Sequence, residues 1–113
     1  MLTIEKLKEY GADTASGLSR CVNNEALYLR LTNMVPTNSA FKSLYDSINA
    51  NNLDEAFSAA HALKGILLNL SITPLSEPVS TICELLRNKT EYDYSSYLSL
   101  IEEKRKELEE LCN

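Results

Sequence analysis

The chain of 113 residues contains one histidine, and the residues around it are the first to weigh for chemistry. His61 stands in the run Ala60-His61-Ala62-Leu63-Lys64-Gly65, midway along the longest helical pattern. Leu53, Ala56, Ala60, Leu63, Leu67 and Leu70 recur at intervals of three and four and predict the buried seam of that helix. A helical step of about 100° per residue puts His61 outside this seam, so the ring is expected to face solvent. Lys64 at i+3 and Gly65 at i+4 are its neighbours one turn on. A cation and a gap without a side chain beside an imidazole suit a phosphoryl group.

A phosphoryl acceptor must be exposed, must offer a neutral ring nitrogen, and must admit a partner's aspartate to bonding distance. A solvated imidazole titrates at about pH 6.5, so near neutrality most of it is unprotonated and nucleophilic. Lys64 supplies positive charge for phosphoryl oxygens, where electrostatic help counts most because little covalent work is required. Gly65 leaves room; inside a helix it costs about 1 kcal/mol relative to alanine, so its presence calls for a steric reason. The plain alternative is a lone surface histidine with no task.

Other chemistries lack their residues. A metal site needs converging ligands, but there is one histidine, no His-Glu-x-x-His pair and no cysteine cluster. A Ser or Cys nucleophile would need a base and a group to orient it, and His61 is the sole candidate base. Glu102, Glu103, Glu107, Glu109 and Glu110 interleave with Lys104, Arg105 and Lys106, which reads as a solvated helix face. Cys21, Cys83 and Cys112 are odd in number and far apart, which encodes no disulfide framework and fits a reducing compartment. A formal charge of -5 without a basic, aromatic-interleaved cluster gives no footprint for nucleic acid or an anionic membrane. The amino terminus is charged where a signal peptide needs an apolar core, and no apolar stretch reaches membrane-span length, so a cytoplasmic protein is expected.

The elements that must position His61 follow from caps and periodicity. With 44% hydrophobic residues and only three glycines and three prolines, residues 1–113 read as one compact all-α domain. Thr3 opens a short helix that Gly11 ends, and Asp13 or Thr14 opens a second through about Cys21. Asn23 or Asn24 caps a third, with Leu27, Leu31, Met34 and Val35 as its apolar face and Pro36 as its stop. Asn38 or Ser39 caps a fourth bearing Phe41, Leu44, Tyr45 and Ile48. Asn52 caps the His61 helix, expected over about 53–71. The next carries Leu75, Val79, Ile82, Cys83, Leu85 and Leu86; Thr73 and Pro74 mark a turn and a new start, while Pro78, suited only to an opening turn, would move the start to near Ser76, and the boundary stays open. Asp93 caps the last, with Tyr97, Leu98, Ile101, Arg105, Leu108 and Leu111 near one stripe. Short connections predict an antiparallel four-helix up-down bundle with short additional N-terminal helices packed across one end.

The run His61-Ala62-Leu63-Lys64-Gly65 resembles the His-x-Leu-Lys-Gly motif of histidine-containing phosphotransfer (HPt) domains of two-component phosphorelays. The likeness extends to the Asn52 cap, Ala56, Ala60, Asn69, Leu70 and Leu75, and so covers most of the chain. It implies that His61 is the phosphoacceptor, Lys64 the phosphoryl-oxygen partner and Gly65 the clearance. It further implies a carrier, not an enzyme, between receiver-domain aspartates of response regulators and a hybrid histidine kinase. The chain itself would need no cofactor, with magnesium supplied by the receiver. The departures are Ile66, Leu67, Leu68 and Ser71, where such domains usually have small residues and a further glycine. Phe57, Leu68 and Ile72 are expected as partner-docking contacts. The rival expectation is a helical module that binds receivers or kinases without accepting phosphate. A monomer is expected in either case, since no heptad seam is left over.

Overall fold

Polar side chains start most of the helices. In the computed structural model, which describes residues 1–113, Thr3, Asp13, Asn24, Asn38 and Asn52 each accept a backbone N–H from the first turn they precede. They open α1 (Ile4–Tyr10), α2 (Thr14–Arg20), α3 (Glu25–Asn33), α4 (Ser39–Asn49) and α5 (Leu53–Asn69). Two more helices follow, α6 (Thr73–Arg87) and α7 (Ser95–Cys112), and there are no strands. Asp93 accepts from the Ser95 N–H at 3.0 Å and so serves the start of α7. No helix is long and apolar enough to cross a membrane.

α4, α5 and α6 end alike. Each closes with a residue in the left-handed region, Asn51, Ser71 and Lys89, although only glycine adopts that conformation without steric cost. The following N–H groups, of Asn52, Ile72 and Thr90, reach back to the carbonyls of Ser47, Leu67 and Leu85. This pairing satisfies carbonyls that the helix ends would leave unpaired. It also ends α5 two residues before the predicted Ser71 and begins α6 at Thr73, the earlier of the two starts open in the sequence. Pro78 is therefore in the second turn of α6. The single bond it forgoes is to the carbonyl of Pro74, at the start of the helix, and the helix runs on.

α5 packs between α4 and α6, α6 packs on α7, and the whole measures 40 × 24 × 20 Å. The seam of α5 is as read except at Leu53 and for the addition of Ala59. Ala56, Ala60, Leu63, Leu67 and Leu70 are buried, Leu53 is half-buried, and Ala59 joins the core. α6 contributes Leu75, Val79, Ile82, Cys83 and Leu86, and α7 contributes Ile101 and Leu108.

α1–α3 gather at the α5–α6 turn. Gly11 sits by Pro74, the Asp13 N–H donates to the Ser71 carbonyl at 3.0 Å, and the Tyr28 hydroxyl donates to the Leu70 carbonyl at 2.9 Å. Gly17 is what allows that last bond, since a Cβ there would lie 2.5 Å from the Tyr28 ring and 2.7 Å from the Leu70 oxygen. The face of α3 differs from expectation in part: Val35 is buried and Leu27 packs against the core as expected. Tyr28 and Thr32 point inward, whereas Leu31 is partly exposed and Met34 is 63% exposed. A buried hydrogen bond from the long Tyr28 side chain decided the rotation of α3, which hydropathy alone assigned to the leucines.

The last helix is less purely solvated than its charges imply. Arg105 is largely covered, donating to both carboxylate oxygens of Glu102 at 2.7 and 2.9 Å, to Glu109 at 3.3 Å and to the Pro36 carbonyl at 3.0 Å. Glu102 also accepts from the Tyr45 hydroxyl at 2.9 Å. These bonds tie α7 to α4 and to the turn before it.

Candidate functional site

On the middle of α5, the helical step that buries Ala60 and Leu63 leaves His61 exposed. Phe57, one turn before, is half-buried and stacks on the imidazole with ring centroids 5.7 Å apart and planes 25° apart. The guanidinium carbon of Arg87, from α6, lies 5.3 Å from the Phe57 ring centroid, in cation–π range. One aromatic ring thus contacts both the candidate nucleophile and a cation.

Lys64 leans across the groove to α6. Its side chain is 27% exposed and its Nζ is 3.9 Å from Oε1 of Glu84. The same oxygen lies 3.3 Å from Nε of Arg87. Lower on the same groove, Lys89 pairs with Asp54 at 3.4 Å. These pairs show α5 and α6 running antiparallel, with Lys64, one turn from His61, and Arg87, over the Phe57 ring, sharing one carboxylate. Exposed pairs of this kind stabilise a fold by about 1 kcal/mol or less. They matter here as charge placed beside a nucleophile.

Gly65 is exposed, and a Cβ built on it meets nothing within 4 Å. Nothing in the chain itself therefore demands glycine at this position, in contrast to Gly17. Leu68, two turns from His61, is 43% exposed and available to a partner. Ile72 is not: it is fully buried, its N–H closing the end of α5 and its carbonyl accepting from Leu75 and Ser76 at the start of α6. The expected docking role of Ile72 is thus corrected to a core role, because the end of α5 turns the chain inward at that residue.

Glu84 and Arg87 were not singled out in the sequence. A signal existed: the short turn at Ser71 makes α5 and α6 a helical hairpin, which folds the later turns of α6 back along α5. Cys83, adjacent to Glu84, is buried. Burial pushes its thiol above the usual range, against the downward pull of Lys64 and Arg87.

His61 is exposed and lines none of the larger clefts. These, about 670 Å³ beside Tyr45, Leu98 and Lys106 and about 370 Å³ beside Ile48, Leu53 and Tyr92, lie elsewhere. No group of three or more His, Cys, Asp or Glu side chains is placed to hold a metal ion. The arrangement offers an exposed imidazole with cations at hand and no enclosing pocket. No family model, curated protein or solved structure matches the chain.

Proposed function

We propose that this chain is a phosphorelay carrier of the HPt type, taking a phosphoryl group on His61 from a receiver-domain aspartyl phosphate and passing it to the aspartate of another receiver. The observation that carries this reading is the combination on one exposed helix face: an open imidazole, Lys64 one turn on, and a Gly65 that nothing within the chain requires. In the step itself, the unprotonated ring nitrogen supplies the electron pair of the new N–P bond. The P–O bond to the receiver's carboxyl breaks with its pair on the aspartate. Lys64, and Arg87 within one ring of His61, offset charge on the phosphoryl oxygens.

The open setting of His61, which lines none of the larger clefts, supports a macromolecular partner that brings its own binding site. A receiver brings its own acidic pocket and magnesium, and Phe57 and Leu68 provide an apolar rim on which it docks. The architecture in this reading is an antiparallel four-helix up-down bundle of α4–α7 with α1–α3 at one end. The ties from Tyr45 and Pro36 to α7 support the closure of that bundle. The protein acts as a cytoplasmic monomer, without autokinase activity.

The test is incubation with phosphorylated receivers and a kinase-borne receiver from the same genome. Acid-labile label is expected on the wild type and absent from His61→Gln, and Lys64→Ala is expected to slow transfer in a folded protein. A wild type that stays unlabelled with every receiver would end the proposal. The second reading, a module that binds receivers without accepting phosphate, is favoured by one observation: Lys64 is engaged with Glu84 rather than free. Receiver binding without label would select it.

A further inference from the structure

Glu84 is the one anion placed at the cations of the His61 face, and the carrier reading gives it no task. Its Oε1 serves Lys64 at 3.9 Å and Arg87 at 3.3 Å, from an α6 side chain that is itself more than half exposed. Pairs this exposed add little to the fold. Their effect falls on what arrives next to them. A phosphoryl group on an imidazole adds close to two negative charges and three acceptor oxygens. It outcompetes a single solvated carboxylate for an ammonium and a guanidinium, because charge-assisted bonds to the denser anion are the stronger ones. The displaced carboxylate then remains near that charge and opposes it.

We infer that Glu84 is a positioning residue that sets the phosphoryl-transfer potential of His61. In the unphosphorylated chain it holds Lys64 and Arg87 together, Lys64 one turn from His61 and Arg87 over the Phe57 ring that stacks on the imidazole. In the phosphorylated chain it repels the phosphoryl group, which keeps that group ready to leave. This inference rests on the carrier reading, and it predicts that removing the Glu84 charge makes phospho-His61 a deeper energy well.

The test contains no receiver, so its outcome is separable from the labelling experiment above. The full chain is equilibrated with N-phosphoimidazole and imidazole at a fixed ratio and low ionic strength. The N–P bond of the donor breaks, free imidazole leaves, and an N–P bond forms at His61. The phosphorylated fraction is read by intact-mass spectrometry at neutral pH, with His61→Gln as the blank. An equilibrium constant is independent of docking and of rate, so a merely structural role would not move it.

Glu84→Gln should raise that constant about three- to tenfold, the range expected for like charges several ångströms apart at a solvated surface. Glu84→Asp should stay within about twofold of wild type. The gain should shrink as salt is added, and it should be smaller in a Lys64→Met background, since part of it comes from releasing Lys64. A constant for Glu84→Gln within about twofold of wild type, or a gain indifferent to salt, overturns the inference while leaving the receiver assay untouched. Labelling by receivers that fails while this shift is present would instead remove the carrier reading.

Discussion

Replacing Gly65 should make the protein more stable and worse at its work, and the two effects come from the same empty space. Gly65 lies in the interior of α5, exposed, with no atom within 4 Å of where a Cβ would stand. Gly65→Ala therefore adds no clash and gains the helix propensity that glycine forgoes, about 1 kcal/mol. For 113 residues, unfolding entropy near 60 °C is about 0.24 kcal/mol/K at ~2.1 cal/mol/K per residue, so the gain corresponds to a Tm increase of about 4 °C. Differential scanning calorimetry reads this directly. Gly65→Gln keeps a good helix former but fills the gap beside His61. If a receiver must approach over Gly65, holding its aspartate off by about 1 Å costs on the order of a hundredfold in transfer rate. Phosphotransfer from a labelled receiver, followed by rapid quench, measures that loss. Two results would refute the reasoning. A Tm that falls for Gly65→Ala means that the space is not free, and full-speed transfer by Gly65→Gln means that no partner uses it.

The other glycine inside a helix predicts the reverse: Gly17→Ala drives a methyl against the Tyr28 ring and the Leu70 carbonyl and strains the bond between them, costing about 3 kcal/mol in urea unfolding. Ile72→Ala should cost about 3 kcal/mol by opening a cavity where α5 meets α6, whereas Leu68→Ala should change stability by less than about 0.5 kcal/mol and weaken receiver binding measured by calorimetry. Alkaline pH should unfold the protein through its tyrosines. Burial raises the Tyr28 hydroxyl to about 12, and burial with Glu107 and with Glu102 raises Tyr10 and Tyr45 further still. Because the folded values lie above that of a free tyrosine, their contribution is complete below about pH 10 and is lost as pH climbs towards and past 12. Phenolate absorbance should therefore appear together with loss of helical circular dichroism, and phenolate formation on these residues with the fold intact would contradict the assignment.

Much of the local structure was legible in the residue order. Thr3, Asp13, Asn24, Asn38 and Asn52 are short polar residues just ahead of apolar periodicity, and each caps the helix expected of it. The core seam of α5 and the outward placement of His61 follow from the 3.6-residue repeat, which is a property of the backbone and needs no knowledge of neighbours. Helix ends were harder. Ser71 and Lys89 close α5 and α6 in a conformation usually reserved for glycine, so Thr73 and Pro74 and the polar run from Asn88 to Tyr92 mark the turns without fixing the last helical residue.

Contacts between elements distant in sequence were decided by the tertiary structure alone. Periodicity says that α3 has an apolar face, but the reach of Tyr28 to Leu70 past Gly17 turns Tyr28 and Thr32 inward and leaves Met34 in water. Arg105 reads as a charge on or near the apolar stripe of α7 with no partner to justify it until the turn before α4 is placed against it. Ile72 looks like the edge of an exposed helix and is buried, and Glu84 and Arg87 come to the His61 face only through the antiparallel register of α5 and α6. Hydrogen bonding one turn apart is set by the chain in hand. Which side of a helix is covered, and by which charges, depends on what the remaining helices bring to it.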